Sequence, residues 1–277
     1  MKVALVQLSS TDDPEENLRT TIALTGEAAG RGAGFVLTPE VTNCLSSDRA
    51  LQNSVLREEK DDMTLARLGL LAGEHKIWLL IGSLALKSGA PDGRFVNRSF
   101  LISPSGAIVA RYDKIHMFDV KVSASESYRE SDGYRPGSTC VVARTPFGVI
   151  GMTICYDVRF PHLYRALAKA RAEILTVPAA FNDTTGAAHW ETLLRARAIE
   201  NGAYVLAPAQ TGSHAAHQGR QRRTHGHSLA ISPWGEVIVD GGSEVGVSYA
   251  DIDLAEVAKA RNRVPSLNHD RPFEGPN

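Results

Sequence analysis

The chain has 277 residues, of which 43% are hydrophobic and 22% are charged, and its formal net charge is −1. This length suits one large domain or two small ones, with enough apolar residues for a full core. The near-neutral charge predicts neither a nucleic-acid nor a membrane partner.

The three cysteines, Cys44, Cys140 and Cys155, are an odd number at wide spacing. This pattern describes neither a disulfide framework nor a zinc site, and it favours a reducing, cytoplasmic location. The N-terminal apolar run is too short for a secretion signal, and no stretch is long enough to span a bilayer. We therefore expect a cytoplasmic protein.

The first elements alternate between strand and helix. Residues 3–8 predict a strand, and a helix follows with Asp13 as cap and Pro14 in its first turn. Residues 35–37 predict a second strand that runs directly into Glu40. A carboxylate after a buried strand is costly unless it is paired or used, although a single loop glutamate is more often partly exposed.

The middle of the chain predicts a helix, a strand and a hairpin before a lysine. The helix covers residues 64–75, the strand 77–86, and the hairpin 95–102 with 107–112. Lys114 follows the hairpin among apolar neighbours. Most lysines are solvated, but one in this setting is a candidate for a fixed cation.

A polar loop over residues 120–139 precedes the cysteine segment. It contains Glu126 and Glu130, and a loop of this length is usually functional or disordered. Residues 141–143 and 148–154 predict paired strands, the second of which ends at Cys155, and Pro161 suits the start of a helix.

Cys155 lies on a predicted strand-to-helix turn, where the first N–H groups of a helix favour negative charge. We therefore expect a thiol with a lowered pKa and a backbone site for an oxyanion. An unpaired cysteine is more often a small core residue, so the assignment of Cys155 as a nucleophile depends on the other motifs.

The second half repeats the alternation of strand and helix. Strands are predicted over 174–177, 203–207, 229–232, 237–239 and 248–252, and helices over 187–201 and 254–261. This order indicates an α/β fold with mixed sheets. No composition shift marks a boundary, so we expect a single domain over residues 1–277.

Glu40, Lys114 and Cys155 each follow a predicted strand. Strand ends converge at one edge of a sheet, where open α/β folds place their sites. Glu40 can take the thiol proton and later activate water, and Lys114 can hold an oxyanion with the backbone N–H of Tyr156. This chemistry needs no metal and no cofactor, and we predict none.

Three motifs resemble those of the nitrilase superfamily of carbon–nitrogen hydrolases. They are residues 39–40 (PE), 112–119 (YDKIHMFD) and 154–161 (ICYDVRFP), in the order and approximate spacing of the family. The resemblance implies a four-layer α-β-β-α sandwich and a homo-oligomer, either a dimer or larger. It also implies a second site glutamate between the lysine and the cysteine, for which Glu130 is the first candidate and Glu126 the competitor.

Other segments are similar to the branch of small amidases that act on 2-oxo acid amides. They are residues 189–200 (HWETLLRARAIE), 226–228 (GHS), 233–235 (PWG) and 209–214 (AQTGSH). The resemblance implies hydrolysis of a small-molecule amide, preferably deaminated glutathione, to 2-oxoglutarate and cysteinylglycine. The alternatives are an ω-amidase acting on 2-oxoglutaramate, a nitrilase or N-carbamoyl hydrolase, and an inert scaffold on the same fold.

Substrates of this kind carry carboxylates, so the site needs cations. Arg159, four residues after Cys155, is the preferred substrate-binding candidate, and Arg197 and the arginines of residues 220–223 are weaker ones. His214, His217, His225 and His227 do not follow a metal-ligand spacing and favour a polar loop.

Overall fold

The computed structural model describes residues 1–123, 126–216 and 221–275, and these residues contain six α-helices and sixteen β-strands. The helices are α1 (Pro14–Gly30), α2 (Arg49–Val55), α3 (Met63–His75), α4 (Pro161–Lys169), α5 (Asp183–Asn201) and α6 (Ala255–Arg263). The strands are β1 (Lys2–Gln7), β2 (Phe35–Leu37), β3 (Trp78–Lys87), β4 (Phe95–Ile102), β5 (Ile108–Asp113), β6 (Asp119–Lys121), β7 (Ser127–Arg129), β8 (Val141–Thr145), β9 (Gly148–Met152), β10 (Ile174–Thr176), β11 (Tyr204–Ala207), β12 (Thr211–Ser213), β13 (Arg223–His225), β14 (Leu229–Ile231), β15 (Val237–Asp240) and β16 (Gly246–Asp251).

Twelve of the strands form two six-stranded mixed sheets. The first has the order β16-β1-β2-β3-β4-β5 and the second β15-β14-β11-β10-β9-β8. In each sheet the central strands are parallel and the outer ones antiparallel: β1, β2 and β3 run together in the first, as β9, β10 and β11 do in the second. The β2 and β9 segments therefore end at comparable points of their sheets, and both lead into site motifs.

Alternating side chains of the first sheet face two different layers. Val3 and Leu5 of β1 belong to the core shared with the second sheet. Ala4 and Val6 belong to a separate core with α1 and α3. This alternation is what a strand buried on both faces requires, because successive side chains point to opposite sides.

Helices α4 and α5 cover the outer face of the second sheet. Leu167 of α4 lies beside Gly151 on β9, and Trp190 of α5 is buried in the same core as β9, β10 and β11. The layers are thus α1 and α3, the first sheet, the second sheet, and α4 and α5. The predicted four-layer α-β-β-α sandwich is confirmed.

Most predicted elements occur within a few residues of their expected bounds, but several were missed. Helix α2 and the two-stranded ribbons β6–β7 and β12–β13 were not predicted. Helix α5 begins at Asp183 rather than at residue 187, because the side chain of Asn182 caps it by accepting from the Thr185 N–H. No helix within the described residues is long and apolar enough to cross a membrane.

Gly82 on β3 allows the chain that follows β2 to pass close to the sheet. A Cβ placed on Gly82 would lie 2.0 Å from the Thr38 carbonyl oxygen and 2.6 Å from that of Pro39. Both clashes involve backbone, which cannot move aside without shifting the next residue, Glu40. Glycine is therefore required here by close backbone approach rather than by its own dihedral angles.

We expect Gly82→Ala to destabilise the protein by about 2 kcal/mol or more, because the added methyl overpacks a backbone crossing. Gly30→Ala is the matched control, since a Cβ at this helical position meets nothing within 4 Å. That change should be neutral or stabilising. Urea unfolding of both variants measures the difference, and equal stabilities would contradict the crossing constraint.

Candidate active site

Glu40 is a buried carboxylate with a hydrogen bond to each oxygen. It is 3% exposed. Its Oε2 accepts from the backbone N–H of Ala180 at 2.8 Å, and its Oε1 accepts from Asn97 Nδ2 at 2.8 Å and from Lys114 Nζ at 2.9 Å. These contacts fix the carboxylate from the β4 strand, from the end of β5 and from the segment that follows β10.

Lys114 lies between two carboxylates. Besides Glu40, its Nζ donates to both carboxylate oxygens of Glu130 at 2.9 Å, and the ammonium is 3% exposed. The N–H of Phe118 donates to Glu130 Oε2 at 2.6 Å and fixes this second carboxylate. Of the two glutamates considered for this position, the structure brings Glu130 to the lysine.

Glu126 lies elsewhere in the same loop. Its Oε1 accepts from Tyr128 Oη at 2.6 Å and from Asn182 Nδ2 at 2.9 Å. Since Asn182 also caps α5, Glu126 connects the loop to the start of that helix. The structure therefore places Glu126 at the start of α5.

Cys155 follows β9 in a left-handed backbone conformation. Its φ is +49°, and its N–H donates to the Pro178 carbonyl at 2.9 Å. A 3₁₀ turn, Cys155–Arg159, separates it from α4. The first hydrogen bond of this turn runs from the Asp157 N–H to the Ile154 carbonyl, so the preceding N–H, that of Tyr156, has no partner within the turn.

Asp157 joins the lysine segment to the cysteine turn. It is fully buried, and its carboxylate accepts from Tyr112 Oη at 2.6 Å, from the His116 N–H at 3.0 Å and from the Ile154 N–H at 2.9 Å. Tyr112 and His116 flank Lys114 in the sequence. A single carboxylate thus fixes the lysine strand end against the cysteine turn.

Glu40 and Lys114 hold each other in their charged forms. Burial disfavours the Glu40 carboxylate, but Lys114 and then Arg222 outweigh it and hold the pKa of Glu40 below its ordinary value of 4.5. Burial opposes the ammonium too, yet Glu130 and Glu40 raise the pKa of Lys114 well above its ordinary value. Both groups are therefore ionised at neutral pH.

The predicted lowering of the Cys155 pKa is wrong. Burial, and then the neighbouring Glu40 carboxylate, raise the pKa of the thiol well above its ordinary value, against the opposing charges of Lys114 and Arg222. The helix α4 begins only at Pro161, so its N-terminal amides are not at the thiol. Cys155 is a neutral thiol beside an ionised carboxylate.

A cavity of about 420 Å³ opens over these groups. Five residues predicted for the site line it: Glu40, Lys114, Glu130, Cys155 and Tyr156. Cys44 also lines the cavity while being buried in a local core, and burial raises its pKa to about 12. Cys155 also has a raised pKa, so the difference between the two thiols lies in their partners: Cys44 Sγ donates to the Asp12 carbonyl at 3.7 Å, whereas Cys155 lies beside the Glu40 carboxylate.

The arginines are arranged differently from the prediction. Arg159 is not among the described residues that line the cavity; its Nη2 lies 3.3 Å from His189 Nδ1 and its guanidinium is 5.3 Å from the centre of the Phe181 ring. Arg197 is buried and donates to the Val158 carbonyl at 2.8 Å, so it supports the cysteine turn. Arg222 lines the cavity.

His214 joins the segment after β1 to strand β13 by hydrogen bonds. His214 is buried between the Ser10 carbonyl and Thr224 Oγ1, at 2.8 and 2.7 Å, and burial lowers its pKa to about 4. Within the described residues no group of three or more His, Cys, Asp or Glu side chains could hold a metal ion. His217 and Arg220 lie outside the described residues.

Sequence reasoning missed Asn97, Asp157 and Arg49 as residues of this region. Asn97 begins a polar triplet with Arg98 and Ser99 inside an otherwise apolar strand, which is a signal for a buried polar partner. Asp157 is part of the cysteine motif but was assigned no role. Arg49 belongs to α2, a helix that was not predicted, so no pattern pointed to it.

The lowered pKa of Glu40 predicts an acid-dependent stability. Because the folded state binds this proton less readily than the unfolded state, the contribution is complete above pH 4.5 and is lost as pH falls through the folded pKa. The unfolding free energy of the wild type should therefore fall relative to that of Glu40→Gln below pH 4.5. Urea unfolding of both proteins across this range measures the two free energies. If that of the wild type stays constant or rises relative to that of Glu40→Gln, the charge assignment is wrong.

Comparisons with known proteins place the chain in a family. A family model described as carbon-nitrogen hydrolase matches residues 2–262. A deaminated glutathione amidase from Yersinia enterocolitica is 41% identical over 97% of this chain and 92% of its own, and one from Homo sapiens is 39% identical over 98% and 82%.

Two solved structures extend the likeness to the fold. The C. elegans NitFhit protein superposes with a TM-score of 0.88 at 34% identity over 98% of this chain, which spans 65% of that longer chain. A Saccharomyces cerevisiae member of branch 10 of the nitrilase superfamily superposes with a TM-score of 0.83 at 28% identity, over 96% of this chain and 94% of its own. The chain therefore belongs to the carbon-nitrogen hydrolase family and is a hydrolase of carbon–nitrogen bonds.

Proposed function

We propose that the chain is a cysteine-dependent amidase that hydrolyses a linear amide of a small 2-oxo acid. The observation that carries the proposal is the buried Lys114 ammonium, held between Glu40 and Glu130 beside the Cys155 thiol. A base, a nucleophile and a cation for an oxyanion are the three parts that acyl transfer needs.

In the first half of the reaction Cys155 becomes acylated. Its sulfur attacks the amide carbonyl carbon while Glu40 takes the thiol proton, and the carbonyl oxygen becomes an oxyanion near Lys114 and the Tyr156 N–H. The intermediate then collapses, the C–N bond breaks, and Glu40 returns its proton to the leaving amine. A thioester on Cys155 and an ionised Glu40 remain.

In the second half water releases the acid. Glu40 takes a proton from the attacking water, and the new tetrahedral intermediate expels the Cys155 sulfur, which regains the proton. The sum is one amide and one water converted to one carboxylic acid and one amine. Glu130 takes part by fixing Lys114, which keeps the ammonium in place through both halves.

The preferred substrate is deaminated glutathione, which gives 2-oxoglutarate and cysteinylglycine. The relatives named deaminated glutathione amidase, from Yersinia enterocolitica to Homo sapiens, support this choice. The cavity of about 420 Å³ is in the usual range for small-molecule sites. The competing assignments are an ω-amidase for 2-oxoglutaramate and a nitrilase or N-carbamoyl hydrolase with the same triad.

An inert scaffold on the same fold is the candidate from another class. A buried ion trio is expensive to keep, because each charge must be desolvated, and breaking it leaves an unpaired charge. The hydrogen bonds to both oxygens of Glu40 favour a working site over a residual one. A protein that had lost catalysis would not need to keep these buried charges and hydrogen bonds.

We further propose a homo-oligomer, dimeric or larger, with one carbon–nitrogen hydrolase domain over residues 1–277, in a reducing cytoplasm. The free state of Cys44, Cys140 and Cys155 supports the compartment. The exposed Ile199 on α5 and Val264 just after α6 support an association surface near those helices. The match of the family model to residues 2–262 supports the single domain.

Wild-type protein should hydrolyse deaminated glutathione with a higher kcat/KM than 2-oxoglutaramate, and Cys155→Ala should hydrolyse neither. The physical reason is that the thioester route requires the sulfur. Steady-state assays of 2-oxoglutarate release measure both substrates in the same way.

Cys44→Ala is the matched control, because Cys44 lines the cavity but its thiol donates to the Asp12 carbonyl; it should retain turnover. A reversed preference would assign the chain to the ω-amidases with the same mechanism. Turnover that survives in Cys155→Ala would refute the proposal.

A further inference from the structure

Two arginines line the cavity without a carboxylate partner among the described residues, Arg49 and Arg222. The other two cations of the lining are paired: Lys114 with Glu40 and Glu130, and Arg129 with Asp132 at 3.4 Å. A guanidinium that faces a cavity without a carboxylate is a ready site for an anionic ligand.

We propose that these arginines bind the two carboxylates of a dianionic amide, Arg222 that of the acyl half and Arg49 that of the leaving amine. This inference rests on the proposed amidase function and specifies the charge of its substrate. Deaminated glutathione carries both carboxylates, whereas 2-oxoglutaramate carries only the first.

Arg222 is fixed beside the reacting groups. Its Nη2 donates to the Ala180 carbonyl at 2.6 Å, and the N–H of the same residue, Ala180, holds Glu40. Its guanidinium lies 5.7 Å from the centre of the Tyr128 ring. Its Nε is buried and has no acceptor among the described residues, so this N–H of the guanidinium is unsatisfied there.

The charge of Arg222 acts on Glu40 and on Cys155, where it favours the ionised form of each. Of the two arginines, Arg222 is therefore the one closer to the scissile bond. The carboxylate of the acyl half is separated from the scissile carbonyl by fewer bonds than the glycine carboxylate of the leaving amine. The carboxylate of the acyl half, which lies fewer bonds from the scissile carbonyl, thus matches Arg222.

Arg49 is held over an aromatic ring. Its guanidinium is 4.2 Å from the centre of the Phe95 ring, and its Nη1 lies 3.4 Å from Gln52 Oε1. A Cβ on Gly133 would come within 2.9 Å of the same Nη1, so the glycine leaves room for the side chain. This contact involves an aromatic ring rather than a carboxylate, so a ligand carboxylate can still bind the guanidinium.

The lining as a whole favours an anion. It contains four cations, Arg49, Lys114, Arg129 and Arg222, against three carboxylates, Glu40, Glu130 and Asp132. His214, the histidine of the lining, has its pKa lowered to about 4 and is neutral at physiological pH. The two unpaired arginines are the source of the positive excess.

Binding to the full-length Cys155→Ala protein tests the inference without turnover. Calorimetric titration would compare deaminated glutathione with its C-terminal glycinamide analogue, which lacks the leaving-group carboxylate. Arg222→Gln should weaken binding of both ligands tenfold or more. Arg49→Gln should weaken deaminated glutathione tenfold or more and leave the analogue within about twofold, since a charge-assisted bidentate contact is lost only in the first case.

Arg223→Gln is the matched control, because this neighbour of Arg222 faces Asp183 at 3.4 Å, lies outside the cavity lining and should bind both ligands like the parent. If a variant to glutamine unfolds, Arg49→Lys or Arg222→Lys replaces it in the test. Each keeps the charge but loses the bidentate contact, so its affinity should be weaker than that of the parent and stronger than that expected without the charge. The inference is overturned if Arg49→Gln weakens both ligands equally, or if Arg222→Gln weakens neither. Tight binding without turnover of deaminated glutathione by the wild type would refute the proposed function alone.

Discussion

The ion trio of Lys114, Glu40 and Glu130 is the interaction on which the site depends. Two carboxylates and one ammonium are buried together, and burial of such charges is stable only when they are paired and further hydrogen-bonded. Both glutamates meet that condition through backbone N–H groups, from Ala180 to Glu40 and from Phe118 to Glu130. Burial, and then the neighbouring Glu40 carboxylate, raise the pKa of the Cys155 thiol and keep it protonated until it attacks a substrate carbonyl.

The fold meets this demand by straining the backbone at two points. Cys155 has a φ of +49°, and Val41, directly after Glu40, has a φ of +48°. Such conformations cost about 1–3 kcal/mol each, and β-branched valine tolerates them poorly. The Ser83 hydroxyl accepts from the Val41 N–H at 2.8 Å, and the Pro178 carbonyl accepts from that of Cys155. The surrounding structure thus holds Cys155 and the residue after Glu40 in conformations that they would not adopt alone.

Buried strands that end at polar residues leave a clear pattern, which predicts the order of strands and helices and the positions of Glu40, Lys114 and Cys155 at strand ends. The four layers follow only from the resemblance of three motifs to the nitrilase superfamily. The pKa of Cys155 could not be predicted from local pattern, since it depends on Glu40, which is distant in the chain. Arg222 stood out no more than its neighbours in a basic run of the sequence, and the structure distinguishes it by its place in the cavity lining and its contact with Ala180. Arg159 seemed better placed by its distance from Cys155 along the chain, but the turn directs it towards His189 and Phe181.

The account makes Glu40 the base for a neutral Cys155 thiol, and the pH profile of kcat/KM for 2-oxoglutaramate tests this claim most directly. The free enzyme should show a plateau around neutral pH, because the pKa of Glu40 lies below 4.5 and that of Cys155 lies well above 9.0. The rate should fall only below that range, as Glu40 becomes protonated. A kcat/KM that instead rises steadily through neutral pH towards 9.0 would show that a free thiolate is the reactive species, and it would contradict the account.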